Sequence, residues 1–159
     1  MNIVSAASEL AVPNSRVCAA IGMFDGVHLG HQQVIRQAIT DAHQLEATSL
    51  CITFDRHPAT VIAPDRAPGL IQSLPQRLHA IETLGVGVTL VLEFDEPMSR
   101  ILAPDFIRGL HRDLGEIKSL CVGAKFAFGH NREGNVNLLK KLGQKLDFTV
   151  HGLASVALN

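Results

Sequence analysis

Two histidines, His28 and His31, stand three residues apart at the end of a stretch that reads IGMFDGVHLGH over 21–31. Gly22, Gly26 and Gly30 recur through it at every fourth position. Glycine lets a backbone approach a ligand closely or take φ above zero, and imidazole N–H groups donate to phosphate oxygens. The stretch leads into a helical run, and the positive, amide-rich start of a helix favours an anion. His31 is read as opening that helix, with both imidazoles leaning toward one anion and a protonated ring adding charge. These residues can therefore bind phosphate and stabilise charge that builds on a phosphoryl group during displacement. The spacing is not the dinucleotide fingerprint, which needs closer glycines, nor a Walker A loop, since no Gly-Lys-Ser/Thr follows. A phosphate nucleophile is already ionised at neutral pH and needs no general base, so nucleotidyl transfer is compatible with these residues. Two plainer readings stand beside this one. The histidines are a cap and a half-buried polar tip, or, with Asp25, a partial zinc shell, for which nothing supplies closing ligands.

The elements that must hold this stretch follow from apolar periodicity. Strand-like runs at 17–21, 49–54, 88–94, 117–122 and 148–153 alternate with helical runs at 31–44, 75–84, 104–114 and 136–146. Val34, Ile35, Ala38, Ile39 and Ala42 make one apolar stripe on the first helix. Pro75 and Pro104 suit helix starts, Ser73 and Asp105 suit caps, and Gly85, Gly115 and Gly143 read as C-terminal stops. Such alternation predicts an α/β fold, a parallel sheet with helices on both faces. Ligands of these sheets bind beyond the carboxyl ends of the strands, where the loops 22–30, 55–73 and 123–135 are rich in Gly, His, Pro and charge. The middle loop is long enough to be functional or mobile. Without a repeat or a linker, 1–159 reads as a single domain.

Composition narrows the partners. Apolar residues make up 47% of the 159 and charged ones 18%, which marks a globular chain rather than a disordered one. A net charge of −1 gives no electrostatic reason for a nucleic-acid or anionic-membrane partner, and the lack of Trp and Tyr removes most stacking platforms. No apolar run approaches a membrane span, and MNIVSAASELAVPNSR lacks the features of a secretory signal, so the expected location is cytoplasmic. Cys18, Cys51 and Cys121 lie in strand-like runs and read as buried free thiols. Oligomeric state has no signature.

GMFDGVHLGH resembles, nearly letter for letter, the G-x-F-D-G-x-H-x-G-H signature of the bacterial bifunctional riboflavin kinase/FAD synthetase family, in its N-terminal FMN adenylyltransferase module. H-x-G-H alone marks a wider nucleotidyltransferase superfamily; the preceding F-D-G narrows it. TFDRHP (53–58) is similar to the family's T-F-[DE]-P-H-P, and VGAKFAFG (122–129) to V-G-x-[DN]-F-x-F-G. LPQRLHAIETLGVG and FDEPMSRILAPDFI also resemble family text, and the likeness runs over 17–153. It implies a Rossmann-like nucleotidyltransferase fold and the reaction FMN + ATP → FAD + pyrophosphate, with Mg²⁺; no metal-ligating residues are read from the sequence itself. By position it implies that His28 and His31 are catalytic, binding the triphosphate and stabilising the transition state at the α-phosphorus. It places Gly22, Met23, Phe24, Asp25, Gly30 and Lys125 at the ATP, and Phe54, Asp55, Pro58, Phe126 and Phe128 at the flavin. Gly123, Gly129 and Gly134 suit a moving lid, and 131–133 reads as a solvated turn from which Arg132 can reach a phosphate.

The chain departs from the family at four places. Met23 stands where Asn is common. Arg56 replaces the first proline of P-H-P, setting a long cation on a wall that is usually apolar. Lys125 replaces Asp or Asn in the third block, and a lysine attracts phosphate while repelling Mg²⁺. The family's Ser-Ser-Thr-x-x-Arg segment and riboflavin kinase module do not occur before the last residues, SVALN. The expectation is an FMN adenylyltransferase. Its alternatives are a flavin- or nucleotide-binding module without transfer, and a nucleotidyltransferase with another phosphorylated acceptor.

Overall fold

The computed structural model describes residues 1–10 and 15–154, so the SVALN end lies outside the described residues. Six strands, β1 (Asn2–Val4), β2 (Arg16–Ile21), β3 (Thr48–Phe54), β4 (Val88–Leu92), β5 (Glu116–Gly123) and β6 (Thr149–Leu153), form one sheet in the order β1-β4-β3-β2-β5-β6. Every pairing is parallel. The helices are α1 (Leu29–Leu45), α2 (Ala59–Ile62), α3 (Leu74–Glu82), α4 (Glu96–Ser99), α5 (Ala103–Asp113) and α6 (Val136–Leu146).

The central strands β2 and β3 bury consecutive residues, which is what a sheet covered on both faces requires. On one face Ile21, Leu50, Leu90 and Leu120 pack with Ile107 and Leu110 of α5 and Leu139 and Leu142 of α6. On the other, Ala20, Cys51 and Cys121 pack with Val34, Ile35 and Ala38 of α1 and Ile81 of α3. The apolar stripe of the first helix is thus its buried face. All three cysteines are buried and unbridged. Apart from the edge strand β1, the order is that of a doubly wound Rossmann-like sheet, and its reversal falls between β2 and β5. A crevice opens there at the carboxyl ends of the strands, flanked by the loops that follow β2 and β5.

Several local expectations change. β1 has three residues, too few to show a period, and pairs at the sheet edge with β4. The loop 55–73 carries α2 and a 3₁₀ turn at Pro64–Arg66, and α4 follows an Asp95 cap on the Met98 N–H. Gly85 and Gly115 end their helices at φ 92° and 81°, and Ser73 forms a capping box with Gln76. Gly143 is not a stop. It lies buried inside α6, where a Cβ would sit 2.6 Å from the Phe148 carbonyl oxygen, and the helix ends instead at Asp147 with φ 64°. Asp105 sits in the first turn of α5 without capping it. Glu133 takes that role: its carboxylate accepts the Ala103 N–H at 3.0 Å, from a turn, 131–133, that is exposed as expected.

Two glycine-to-alanine changes in helices are expected to have opposite signs. Gly109 in α5 has only the Arg112 side chain within 3.8 Å of its would-be Cβ, so Gly109→Ala is expected to stabilise by about 0.5–1 kcal/mol. Gly143→Ala must displace backbone and is expected to cost about 1–3 kcal/mol. Urea unfolding midpoints check both.

Candidate active site

The loop after β2 is held by its own side chains. Phe24 is 2% exposed and takes φ 54°. Its ring lies under Gly22, where a Cβ would stand 2.9 Å away, so Gly22 serves close packing. The Asp25 carboxylate accepts the N–H of Ile71 at 2.9 and 3.1 Å and that of Gln72 at 3.0 Å. Burial alone would raise its carboxyl, but those amides, with the Arg77 and His31 charges, hold it below the usual carboxylate range. Asp25 is thus an ionised latch that pins the end of the 55–73 segment onto the glycine loop.

The helix opens two residues earlier than expected, at Leu29, with His28 as its N-cap. The His28 Nδ1 accepts from the amides of Gly30 at 3.2 Å and His31 at 3.4 Å. Two donors at the helix mouth are therefore satisfied by an imidazole rather than left for an anion. An accepting Nδ1 puts the His28 proton on Nε2. The His31 ring stacks on His28 with centroids 3.5 Å apart and meets Phe24 edge-on at 5.5 Å. Burial, and next the neighbouring imidazole of His28, lower His31 to about 4, so in the free protein it is neutral at pH 7. Its Nδ1 is buried without a partner, while the ring borders the cavity described next.

That cavity, about 550 Å³, lies over the β2–β5 crevice, within the size range of ligand pockets. Its bowl is aromatic and aliphatic. Five of the seven phenylalanines line it, Phe54, Phe94, Phe106, Phe126 and Phe128, joined ring to ring at centroid separations of 5.4–6.5 Å. Met23, Pro58, Ala59, Ile62, Met98 and Ile101 complete the apolar wall, and its basic groups are His31, His57, Lys125 and Arg132. Among the described residues no carboxylate lines it. The His57 Nδ1 accepts the Ala59 N–H at 3.0 Å, which places its proton on Nε2 as well.

Of the residues expected at the site, Met23, His31, Phe54, Pro58, Lys125, Phe126 and Phe128 meet on this cavity. Gly22, Phe24, Asp25, His28 and Gly30 stand behind it as the loop and helix start that carry Met23 and His31. The Asp55 carboxylate accepts the Phe94 N–H at 2.9 Å and pairs with Arg56 at 3.0 Å. Burial would raise it, yet these partners hold it below the usual range. Arg56 therefore turns onto Asp55 and is not a cation on the cavity wall. The loop 123–135 is no free lid either. Phe128 and Gly134 exchange two backbone hydrogen bonds, at 2.8 and 3.1 Å, and Cβ atoms on Gly129 or Gly134 would come within 2.7 Å of Ala103. Sequence reasoning missed Phe94, Met98, Ile101 and Phe106, whose apolar types gave no sign beyond core. It also missed Arg77, 1% exposed, whose Nη1 donates to the carbonyl oxygens of Met23 at 2.9 Å and Phe54 at 2.7 Å.

His31 also gives the fold a pH dependence. Between about 4 and 6.5 the folded ring is neutral while that of the unfolded chain is protonated, so the unfolded chain binds the extra proton and stability falls as pH falls through that window. Below about 4 both are protonated and the loss is complete. The drop in urea midpoint from pH 7 to pH 5 is therefore expected to be smaller in His31→Leu than in the wild type.

Residues 11–159 match the FAD synthetase family. The bifunctional riboflavin kinase/FMN adenylyltransferase of Buchnera aphidicola subsp. Acyrthosiphon pisum is 29% identical over 94% of this chain and 48% of its own length. The protein of the same name from Haemophilus influenzae is 32% identical over 89% of this chain and 46% of its own. The chain thus spans about half the length of these curated relatives. A crystal structure described as a macrolide-efflux protein from Streptococcus pneumoniae shares the fold, with a TM-score of 0.80 at 21% identity over 99% of this chain and 52% of that one. With a matched region that takes in the glycine loop, both histidines and the whole cavity, the chain belongs to the FAD synthetase family.

Proposed function

We propose that this chain is an FMN adenylyltransferase, moving AMP from ATP to the phosphate of FMN with release of pyrophosphate. The observation that carries the reading is the cavity at the β2–β5 reversal, a phenylalanine-lined bowl bordered by His31, His57, Lys125 and Arg132. An isoalloxazine is a flat, largely apolar ring system, and its ribityl phosphate is an anion. Bowl and cations suit the two ends of that molecule.

In the transfer, an FMN phosphate oxygen attacks the α-phosphorus of ATP. One P–O bond forms, the bond to the β-phosphate bridging oxygen breaks, and that electron pair leaves with pyrophosphate. The attacking oxygen carries no proton, so the site needs donors rather than a base. The His31 ring borders the cavity, and in this proposal its N–H donates there to the phosphoryl oxygens as negative charge accumulates. His28 fixes the helix start from which His31 projects and carries its own Nε2 proton alongside. Lys125 and Arg132 supply permanent positive charge.

The residues present do not build a resident Mg²⁺ site. No carboxylate borders the cavity, Asp25 and Asp55 are committed to amides, and no group of three metal-ligating side chains occurs among the described residues. Mg²⁺ in this proposal travels on the ATP phosphates with its own waters. No helix among the described residues is long and apolar enough to cross a membrane, and a cytoplasmic location accords with ATP and FMN as substrates.

The test is FAD formation from MgATP and FMN, followed by chromatography. His31→Gln is expected to lower the rate at least about a hundredfold. His28→Asn keeps a side-chain acceptor for the helix cap and is expected to preserve the melting temperature while slowing transfer by a similar factor, about a hundredfold. Flavin binding without FAD marks a binding module, and consumption of ATP only with another phosphorylated acceptor marks a different transferase.

A further inference from the structure

Arg77 is the one lysine or arginine among the buried charged side chains of the described residues, and none of the ion pairs found there includes it. It projects from α3 beneath the carboxyl ends of β2 and β3. Its Nη1 faces three oxygens, the Met23 carbonyl at 2.9 Å, the Phe54 carbonyl at 2.7 Å and the Thr53 hydroxyl at 2.9 Å. The same nitrogen lies 3.7 Å from the Met23 sulfur. The Thr53 hydroxyl donates onward to the Met23 carbonyl at 3.0 Å, which closes a knot between the two strand ends. Nη2 is buried and has no partner.

A buried cation without a carboxylate is unfavourable for folding by itself, and burial lowers the Arg77 pKa, against the pull of Asp25, Cys51 and Asp55. An apolar side chain of the same length would fill the space without that cost. The guanidinium does what an apolar chain cannot, drawing together two carbonyls whose own side chains, Met23 and Phe54, both line the cavity.

We infer that Arg77 is a positioning residue, whose guanidinium sets the separation of the loops after β2 and β3 and so the width of the cavity between Met23 and Phe54. The inference rests on the adenylyltransferase reading only for the identity of its ligands. A displacement of about 1 Å in groups that orient a substrate is enough to cost one or two powers of ten in rate. A lysine retains the charge but has a single donor centre in place of the planar fork, and Thr53→Val keeps the shape of the knot while removing its hydroxyl.

The experiment takes Arg77→Lys and Thr53→Val, both shown by melting to be folded at the assay temperature, and measures FMN and ATP dissociation constants by calorimetry beside KM and kcat for FAD formation. In folded Arg77→Lys the dissociation constant and KM for FMN are expected to rise about tenfold, and in Thr53→Val about threefold. A merely structural role lowers the folded fraction, and with it kcat, while leaving both constants unchanged. Unchanged constants in folded Arg77→Lys overturn the inference, and if that variant does not fold, unchanged constants in Thr53→Val overturn it. A wild type that binds FMN but makes no FAD removes the transferase reading alone, and the calorimetric comparison still decides the role of Arg77. A wild type that binds neither FMN nor ATP overturns both.

Discussion

A ring nitrogen that caps a helix cannot carry a proton at the same time. The His28 Nδ1 accepts two amides at the start of α1, so a proton there would abolish the cap and set like charges against each other. His28 is thereby fixed in one tautomer and one orientation, and His31 is stacked upon it at 3.5 Å. His31 reaches the cavity from a rigid helix start instead of a loop. Burial and that neighbour together keep His31 neutral, so the ring that borders the cavity carries no charge and needs no counter-ion in the free protein. The order of strands puts this helix start beside the sheet reversal, where the loops of β2 and β5 diverge.

Around that point polar and apolar functions are kept apart. The carboxylates near the site are spent on architecture, Asp25 on the amides of Ile71 and Gln72, Asp55 on Phe94 and Arg56, and Glu133 on the start of α5. The cavity keeps cations and phenyl rings. That division explains how Lys125 and Arg132 border a largely apolar bowl without being neutralised by a neighbouring acid, and why the negative charge in the complex must come with the ligand.

Much of this was legible in the sequence where the signal is local. The FDGVHLGH block, the stripe of α1 and the alternation of strands and helices each depend on residues close in the chain, and each has its structural counterpart. What was illegible depends on contacts between distant segments. A cap stood in the sequence as the plainer reading of the histidines, but which of them caps was not fixed, because Leu29 looked like loop and His31 like the helix start. Arg77 drew no reading of its own, since only tertiary packing shows that it faces two strand ends. Phe94 and Phe106 come from separate elements, so their meeting with Phe54 and Phe128 has no trace in periodicity. Gly143 misled for a local reason, because the chain leaving α6 folds Phe148 back against it, and the link from Glu133 to Ala103 is set by the fold. The resemblance to the family supplied the flavin side, which residue types alone leave as hydrophobic core.

The two walls of the cavity differ in how they are held, and that difference bears on how it admits a ligand. The wall from β5 is tied by the Phe128–Gly134 backbone pair, by the close approach of Gly129 and Gly134 to Ala103, and by Glu133 on the α5 amide. Any shift there must disturb the core face on which α5 packs. The opposite wall, 55–73, buries no residue of α2 or of the turn after it, and leaves Ile62 56% and Ile71 77% exposed. Few buried contacts mean a low free energy of local opening, so adjustment to a bound molecule falls to this side. Asp25 is the hinge point of that adjustment, because its carboxylate joins the end of the loosely packed segment to the loop that carries Met23. The Asp25 latch thus couples the glycine loop to the loosely packed segment, while the β5 side of the bowl is the more tightly held wall.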